Sequence, residues 1–268
     1  ELTHDFLRIH AGRIVSQYPY LFPVLALPFY KLAGYYGLFL TNSLAFVLMV
    51  LLCFGIAQRL FDNTNLSLNA CLIFVLATFS WEYSQSAWPA ATSQLFETAA
   101  FYAVISSCYA ETKRSRIAHA AAAGLIGGFA PGVHMTTAIV LPCLVIPFLF
   151  ARPWRPLEAV IVMVSTIPGL AILAWTNLIK FGVFSPFSYG TGLNRYTLSV
   201  PIYLVAAACG VMLIAWICTR ISTSKNPRKR PWVSLAVVAV GIAALALIPQ
   251  MRDLVLRILS GVWMMLVD

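Results

Sequence analysis

Long apolar runs separated by short polar stretches dominate the chain. A helix that crosses a bilayer needs roughly 20 consecutive apolar residues, and many of these runs approach that length. They are Tyr35–Ala57, Leu66–Phe79, Trp88–Ala110, Ala118–Val133, Met135–Ala151, Leu157–Asn177, Val200–Thr219 and Trp232–Ile248. The pattern therefore predicts an all-α fold: a polytopic transmembrane helix bundle with about eight spans.

The same pattern divides the chain into three regions. Residues 1–34 form an amphipathic segment ahead of the first predicted span. Residues 35–248 hold the spans, which a loop at 178–199, rich in Gly, Ser, Tyr and Asn, interrupts. Residues 249–268 are too short an apolar stretch to span, so we expect them to lie on the membrane or to insert partly.

Composition supports a membrane as the solvent. Hydrophobic residues make up 60% of the chain and charged residues only 10%, whereas soluble proteins carry about 25% charged residues. Such a chain cannot coat a water-facing surface, which excludes a soluble domain, a disordered tail and a nucleic-acid-binding module. Membrane lipids are its first expected partners.

The basic residues predict an orientation. Of the 18 Lys and Arg, most fall in alternate loops, which should therefore face the cytoplasm. Those residues are Arg59, Lys113, Arg114, Arg116, Arg152, Arg155, Arg220, Lys225, Arg228, Lys229 and Arg230. Residues 1–34 and 178–199 should then lie together on the outer face.

Several motifs at the predicted outer face carry a family resemblance. The first is Gln17–Pro23, followed by Leu27–Gly34, and then by a long helix with an early Asn42. A second is Phe79–Pro89, and a third is Asn177–Gly190. Together they resemble the outer loops of C-type membrane glycosyltransferases. The resemblance is narrower to the polyprenyl-phosphate-sugar branch, which includes protein O-mannosyltransferases and aminoarabinose transferases of lipid A.

The resemblance implies an activity and a location. Such a protein moves a sugar from a polyprenyl-phosphate donor to an acceptor on the outer side of a bacterial inner membrane. A carboxylate of the first outer loop acts as the base or orients a divalent metal ion, which would be the cofactor. In the family an acidic pair follows a first helix, and many members add a C-terminal domain. Neither feature is visible in this sequence, in which Glu1 and Asp5 are the only carboxylates before Tyr18 and are not adjacent. This departure fits a chain from which a segment was removed or one that begins partway through a longer protein.

Glycosyl transfer needs a base for the acceptor hydroxyl and positive charge for the leaving phosphate. Carboxylates of the predicted outer face are scarce, and Asp5 is our candidate catalytic base. At helical spacing Asp5 shares a face with Arg8, which also fits an amphipathic helix lying on the membrane. Glu82, beside Trp81, is a candidate substrate-binding residue or an interfacial carboxylate.

The predicted loop at 178–199 supplies the other candidates. Lys180 and Arg195 could hold a lipid-linked phosphate, or could equally snorkel toward headgroups. Tyr189 and Asn194 could line a sugar subsite by ring stacking and hydrogen bonding. We expect no metal site from the cysteines, which lie in or beside apolar runs without a CxxC pair.

Three further residues carry structural expectations. Glu97 lies within a predicted span, where a carboxylate is costly, so we expect it to pair with Asn42 or Gln94. Gly127 and Gly128 lie in an Ala-rich run and predict close helix packing. His134 lies in a predicted turn, where it is more readily a hydrogen-bonded residue than a ligand.

Two alternatives to an enzyme remain open. The chain could be a non-catalytic accessory or assembly subunit of a larger membrane complex that keeps this architecture, which the scarcity of outer carboxylates favours. A transporter would need charged groups at mid-membrane and related halves. Glu97 is the only strong charge there, and no paired halves are visible, so this alternative ranks last.

Overall fold

A computed structural model describes residues 7–10, 13–16, 18–150 and 155–186. All of them belong to one compact unit, Glu1–Pro201. The predicted spans Val200–Thr219 and Trp232–Ile248 and the segment 249–268 lie outside the described residues. The described part is mostly helical, which confirms the predicted class, while the number of spans stays a prediction.

The helices follow one another with short connections. They are α1 (Leu21–Ala33), α2 (Tyr36–Phe61), α3 (Thr64–Leu76), α4 (Ser80–Ser84), α5 (Ala90–Tyr109), α6 (Lys113–Phe129), α7 (Val140–Cys143), α8 (Ile146–Phe150) and α9 (Pro156–Phe181). Two 3₁₀ turns, Ala130–Gly132 and Met135–Ile139, connect α6 to α7.

The described residues before α1 include two paired β-strands rather than a helix. Strands β1 (Leu7–His10) and β2 (Arg13–Ser16) pair antiparallel, with Arg8 opposite Val15. The helical spacing that we expected to place Asp5 and Arg8 on one face is therefore wrong, because Arg8 lies on a strand. The alternation of Arg8, His10 and Arg13 with Ile9 and Ile14 is the period of a strand.

Within the described residues, two helices are long and apolar enough to cross a membrane, α2 and α9. Their apolar side chains are not buried as they would be in a soluble core. Leu51 on α2 is 62% exposed and Ile167 on α9 is 57% exposed. Such continuous exposed apolar surface is the surface that lipid covers in a membrane protein.

Two predicted spans differ from the observed helices. Helix α3 has 13 residues, which is shorter than the bilayer core requires. The run Met135–Ala151 is not one helix, because it is split into a 3₁₀ turn, α7 and α8. Pro142 and Pro147 explain the break, since proline lacks the amide proton that a continuous helix needs and clashes with the preceding turn.

The core forms around α6, which packs between α5 and α9. Buried alanines of α5 and α6 meet Leu144, Phe148 and Val162 in this core. Gly128 contacts the backbone of Thr166, and Gly169 contacts the backbone of Gly128, so an added Cβ at either position would overlap main-chain atoms. The close packing predicted for Gly127 and Gly128 is confirmed.

Polar groups tie the helices together at one end of the bundle, which we call the Arg155 end. Arg155 donates from Nη1 to the carbonyls of Ser107 and Cys108, both at 2.9 Å, and so caps the last turn of α5. Arg116 of α6 forms a 3.0 Å ion pair with the buried carboxylate of Glu158 on α9. Ser107 Oγ donates to the carbonyl of Arg116 at 2.8 Å. These contacts join α5, α6 and α9.

Candidate functional site

The opposite end of the bundle, which we call the Asn42 end, contains an apolar groove of about 330 Å³. That volume lies at the small end of the range for ligand pockets. Its walls come from the N-terminal segment, from the turn before α5 and from the turn after α6. The lining residues are Ser16, Tyr18, Pro19, Phe22, Pro23, Ala87, Trp88, Pro89 and Val133. Prolines and aromatic rings give the groove stiff, apolar walls.

Asn42 holds one wall of this groove in place. Its side chain is fully buried, and its Nδ2 donates to the carbonyls of Ser86 at 2.8 Å and Trp88 at 2.7 Å. Its Oδ1 accepts from the amide of Thr92 at 3.3 Å and from Thr92 Oγ1 at 2.8 Å. Every hydrogen-bonding position of the amide group is used. The turn that carries Trp88 is thereby fixed between α2 and α5.

Tyr18 lies at the meeting point of the N-terminal segment and the bundle. Its ring packs edge-on against Trp88, with centroids 5.8 Å apart. Its carbonyl accepts a 2.7 Å hydrogen bond from Lys180 Nζ. Tyr18 therefore joins the turn before α5 to the end of α9, although it is 162 residues from Lys180 in sequence.

Lys180 brings a positive charge to this junction. It lies in the last turn of α9, half-buried, with its ammonium 5.3 Å from the centroid of the Phe181 ring. The helix C-terminus and the ring offer partial compensation for the charge. Among the described residues, no carboxylate lies within 4.0 Å of its ammonium. The end of α9 thus presents a cation whose partners are all uncharged.

The described ends of the two predicted outer segments meet at this bond. Tyr18 belongs to the segment 1–34 and Lys180 to the stretch 178–199. These are the two segments that the sequence predicts to lie together. Lys180 is not in a loop, since α9 runs four residues beyond Asn177 to Phe181. The helix ends at Gly182, whose φ of 71° is the left-handed geometry that glycine adopts most easily. Asn177 Nδ2 then holds the following chain through the carbonyl of Ser185 at 2.7 Å.

Two titratable groups flank the groove walls. Burial lowers the pKa of His134, which follows Val133 directly, and Nδ1 of this histidine lies 2.7 Å from Thr136 Oγ1. The hydrogen-bonded turn expected for His134 is confirmed. Burial raises the pKa of Tyr20, so this phenol stays neutral across the physiological range.

Of the remaining predicted site residues, Glu82 is the one that the structure describes. Asp5, Tyr189, Asn194 and Arg195 lie outside the described residues, and their roles stay predictions. Glu82 lies on α4 with an exposed side chain and is not among the lining residues of the groove. Within the described part of the chain, Lys180 is the predicted site residue that reaches the N-terminal segment.

The pairing expected for Glu97 is wrong. Asn42 is saturated by Ser86, Trp88 and Thr92, while Gln94 accepts from Ser80 Oγ at 3.3 Å. Glu97 is half-buried on α5, on the flank that continues with Phe101 and Cys108 at helical spacing. The described residues give its carboxylate no hydrogen-bond partner.

Metal binding finds no support in the described groove. No group of three or more His, Cys, Asp or Glu side chains that could hold an ion occurs among the described residues. The lining of the groove includes no carboxylate. The divalent cation that the resemblance implies does not fit these residues, and we derive no chemical step through it.

No protein-family model, no curated protein and no solved structure matches this chain.

The sequence patterns do not predict that Asn42 and Trp88 build one wall of the groove. A lone Asn in an apolar run is costly in a bilayer, so it must find partners within the protein. Trp88 stands before Pro89 at the start of an apolar run, a position that also fits an aromatic belt. What neither pattern gives is the long-range pairing of Asn42 with the turn 86–92.

Proposed function

We propose that the chain is an integral protein of the bacterial inner membrane that binds a polyprenyl-phosphate-linked sugar and transfers the sugar on its outer face. The observation that carries this proposal is one junction. Tyr18 lines an apolar, aromatic groove, and its carbonyl binds the ammonium of Lys180, which is not a lining residue and has no carboxylate partner among the described residues. A ligand with an isoprenoid chain and a phosphate matches both features.

In this proposal the residues divide the work. The groove takes apolar isoprene units, and the Lys180 ammonium holds the phosphate, which becomes the leaving group when the sugar moves. Asp5 takes the proton of the acceptor hydroxyl, and Tyr189, Asn194 and Arg195 contact the sugar or the phosphate. The spans of the bundle hold these segments at one leaflet.

A binding measurement tests the ligand class. The full chain in nanodiscs is titrated with farnesyl phosphate and with farnesol, which share the chain and differ in charge. We expect farnesyl phosphate to bind tighter than farnesol, and Lys180→Met to weaken farnesyl phosphate binding about 10- to 100-fold without weakening farnesol binding. Lys31→Met, which removes an exposed lysine from the last turn of α1, is the matched control. Equal affinity for both probes would refute the phosphate site.

A second candidate function is a non-catalytic subunit of a larger membrane complex with the same ligand site. The absence of a carboxylate from the described groove lining favours it. A transfer assay with a polyprenyl-phosphate sugar distinguishes the two functions. The enzyme is supported if the wild type releases polyprenyl phosphate and the Asp5→Asn variant does not. Tight binding without release, together with copurification of partner proteins at fixed stoichiometry, supports the subunit.

A further inference from the structure

The segment between strand β2 and α1 forms a wall of the groove that is also attached to α9. We call residues 18–20 the strap. Tyr18 and Pro19 line the groove, and the Tyr18 amide donates to Ser16 Oγ at 3.2 Å. Because Tyr18 and Pro19 form one wall of the groove, the position of the strap sets the width of the groove.

Two contacts of Tyr18 with described residues join the strap to different parts of the bundle. The Tyr18 ring rests on Trp88, in a turn that the buried Asn42 fixes. The Tyr18 carbonyl is bound by Lys180. The first contact is an apolar contact to a rigid turn. The second is a charge-assisted hydrogen bond to a flexible side chain, whose ammonium is free to rotate toward another acceptor.

An anion at Lys180 acts on this second contact. An ammonium that donates to a phosphate has part of its charge neutralised, so it binds a neutral carbonyl less strongly. The phosphate oxygens also repel the partial negative charge on the Tyr18 carbonyl oxygen, since both would lie within hydrogen-bonding distance of the same nitrogen. Both effects weaken the bond between Lys180 and the strap.

We propose that the Lys180–Tyr18 bond is a latch, and that an anionic headgroup binding at Lys180 releases the strap and widens the groove for the apolar part of the ligand. The latch rests on the proposed function, because it assumes that the ligand carries a phosphate. The latch adds to that function that Lys180, the residue that binds the phosphate, holds the groove narrow when no ligand is bound. The charge of the ligand thus opens the groove that receives its chain.

Hydrogen exchange of the backbone amides in residues 13–20 tests the latch in the full chain in nanodiscs. In the wild type we expect farnesyl phosphate and millimolar inorganic phosphate to accelerate this exchange, whereas farnesol leaves it unchanged. Lys180→Met should exchange about tenfold faster without any ligand, the factor of a lost hydrogen bond to a charged group, and should not respond to phosphate. Lys180→Arg should keep the wild-type behaviour, and Lys31→Met serves as the control.

The outcomes separate the latch from the ligand assignment. Exchange at the wild-type rate in Lys180→Met overturns the latch, and so does a wild-type protein whose exchange neither phosphate changes. If farnesyl phosphate binds without accelerating exchange, the latch fails and the proposed function stands. If inorganic phosphate accelerates exchange through Lys180 but farnesyl phosphate binds no tighter than inorganic phosphate, the latch stands and the lipid-phosphate function fails.

Discussion

The two ends of the helical bundle use basic side chains in opposite ways. At the Arg155 end, Arg116 forms an ion pair with the buried carboxylate of Glu158, and Arg155 donates hydrogen bonds to carbonyls of the last turn of α5. At the Asn42 end, the partners of Lys180 among the described residues are the Tyr18 carbonyl and the Phe181 ring, and Tyr18 lines a groove of about 330 Å³. At the Arg155 end the charged side chains are paired with carboxylate or carbonyl groups, while the Asn42 end has a lysine bound to a neutral carbonyl and an apolar groove.

This difference favours a structural role for the Arg155 end and places the proposed ligand site at the Asn42 end. A buried ion pair with its polar groups satisfied holds helices in register and leaves nothing for a ligand to gain. A half-buried cation without a counter-ion gains most from an incoming anion. Removing a cation should therefore cost folding stability at the Arg155 end and ligand affinity at the Asn42 end.

The largest expected effect is the loss of the ion pair at the Arg155 end. Arg116→Met leaves the Glu158 carboxylate buried and unpaired, which should lower the free energy of unfolding by about 3 kcal/mol. Unfolding by SDS in mixed micelles, followed by circular dichroism, measures this change. The double variant Arg116→Met/Glu158→Met should recover most of the loss. Lys113→Met, at an exposed position on the same helix, should stay within about 0.5 kcal/mol of the wild type.

The next effect is at Asn42, where a structural residue supports the binding end. Asn42→Leu removes the partners of two carbonyls and of Thr92, and should cost about 2 kcal/mol of stability. It should also weaken farnesyl phosphate binding, because the turn carrying Trp88 loses its anchor. Asn65→Leu, the same change at an exposed position of α3, should alter neither quantity. A stable Asn42→Leu variant with normal binding would show that the turn carrying Trp88 keeps its shape without the hydrogen bonds of Asn42.

Lys180→Met is the counterpart of Arg116→Met at the Asn42 end. Because Lys180 is half-exposed and has no carboxylate partner among the described residues, we expect a stability loss below about 1 kcal/mol. The same SDS titration measures it. A loss as large as that of Arg116→Met would mean that Lys180 is a structural residue, and the contrast between the two ends would disappear.

The smallest expected effect is the pH dependence due to His134. Burial lowers the pKa of this imidazole in the folded protein below its ordinary value of 6.5, so the unfolded chain binds its proton first as the pH falls. The contribution is therefore complete above pH 6.5, and stability declines as the pH falls from there through the folded pKa. His134→Gln should flatten this part of the curve. Identical pH profiles of the two proteins would contradict the assignment.

The helical class and the close packing of α6 on α9 could be predicted from local patterns. An apolar run and a glycine in an Ala-rich run act through their immediate neighbours, so α2 and Gly128 are visible in the sequence. The run Met135–Ala151 shows the limit of that reasoning, because hydrophobicity alone does not register the two prolines that divide it. The N-terminal strands show a second limit, because a helical period predicts a shared face for Asp5 and Arg8 in a segment whose described residues follow the period of a strand.

The site was less accessible to prediction than the fold. Lys180 and the approach of the two segments followed from the orientation of basic residues and from the family resemblance. The partners of Asn42 lie 44 to 50 residues away, and that of Lys180 lies 162 residues away. Such pairings depend on how the helices pack in three dimensions, which no local spacing encodes.

Photoaffinity labelling tests most directly whether the groove and Lys180 form one site for an anionic amphiphile. A benzophenone analogue of farnesyl phosphate is cross-linked to the full chain in nanodiscs, and the labelled peptides are sequenced. The account predicts labels in residues 16–23 and 87–89 that unlabelled farnesyl phosphate displaces and that Lys180→Met diminishes. Labels spread over the exposed apolar faces of α2, α3 and α9, unaffected by the competitor, would contradict it.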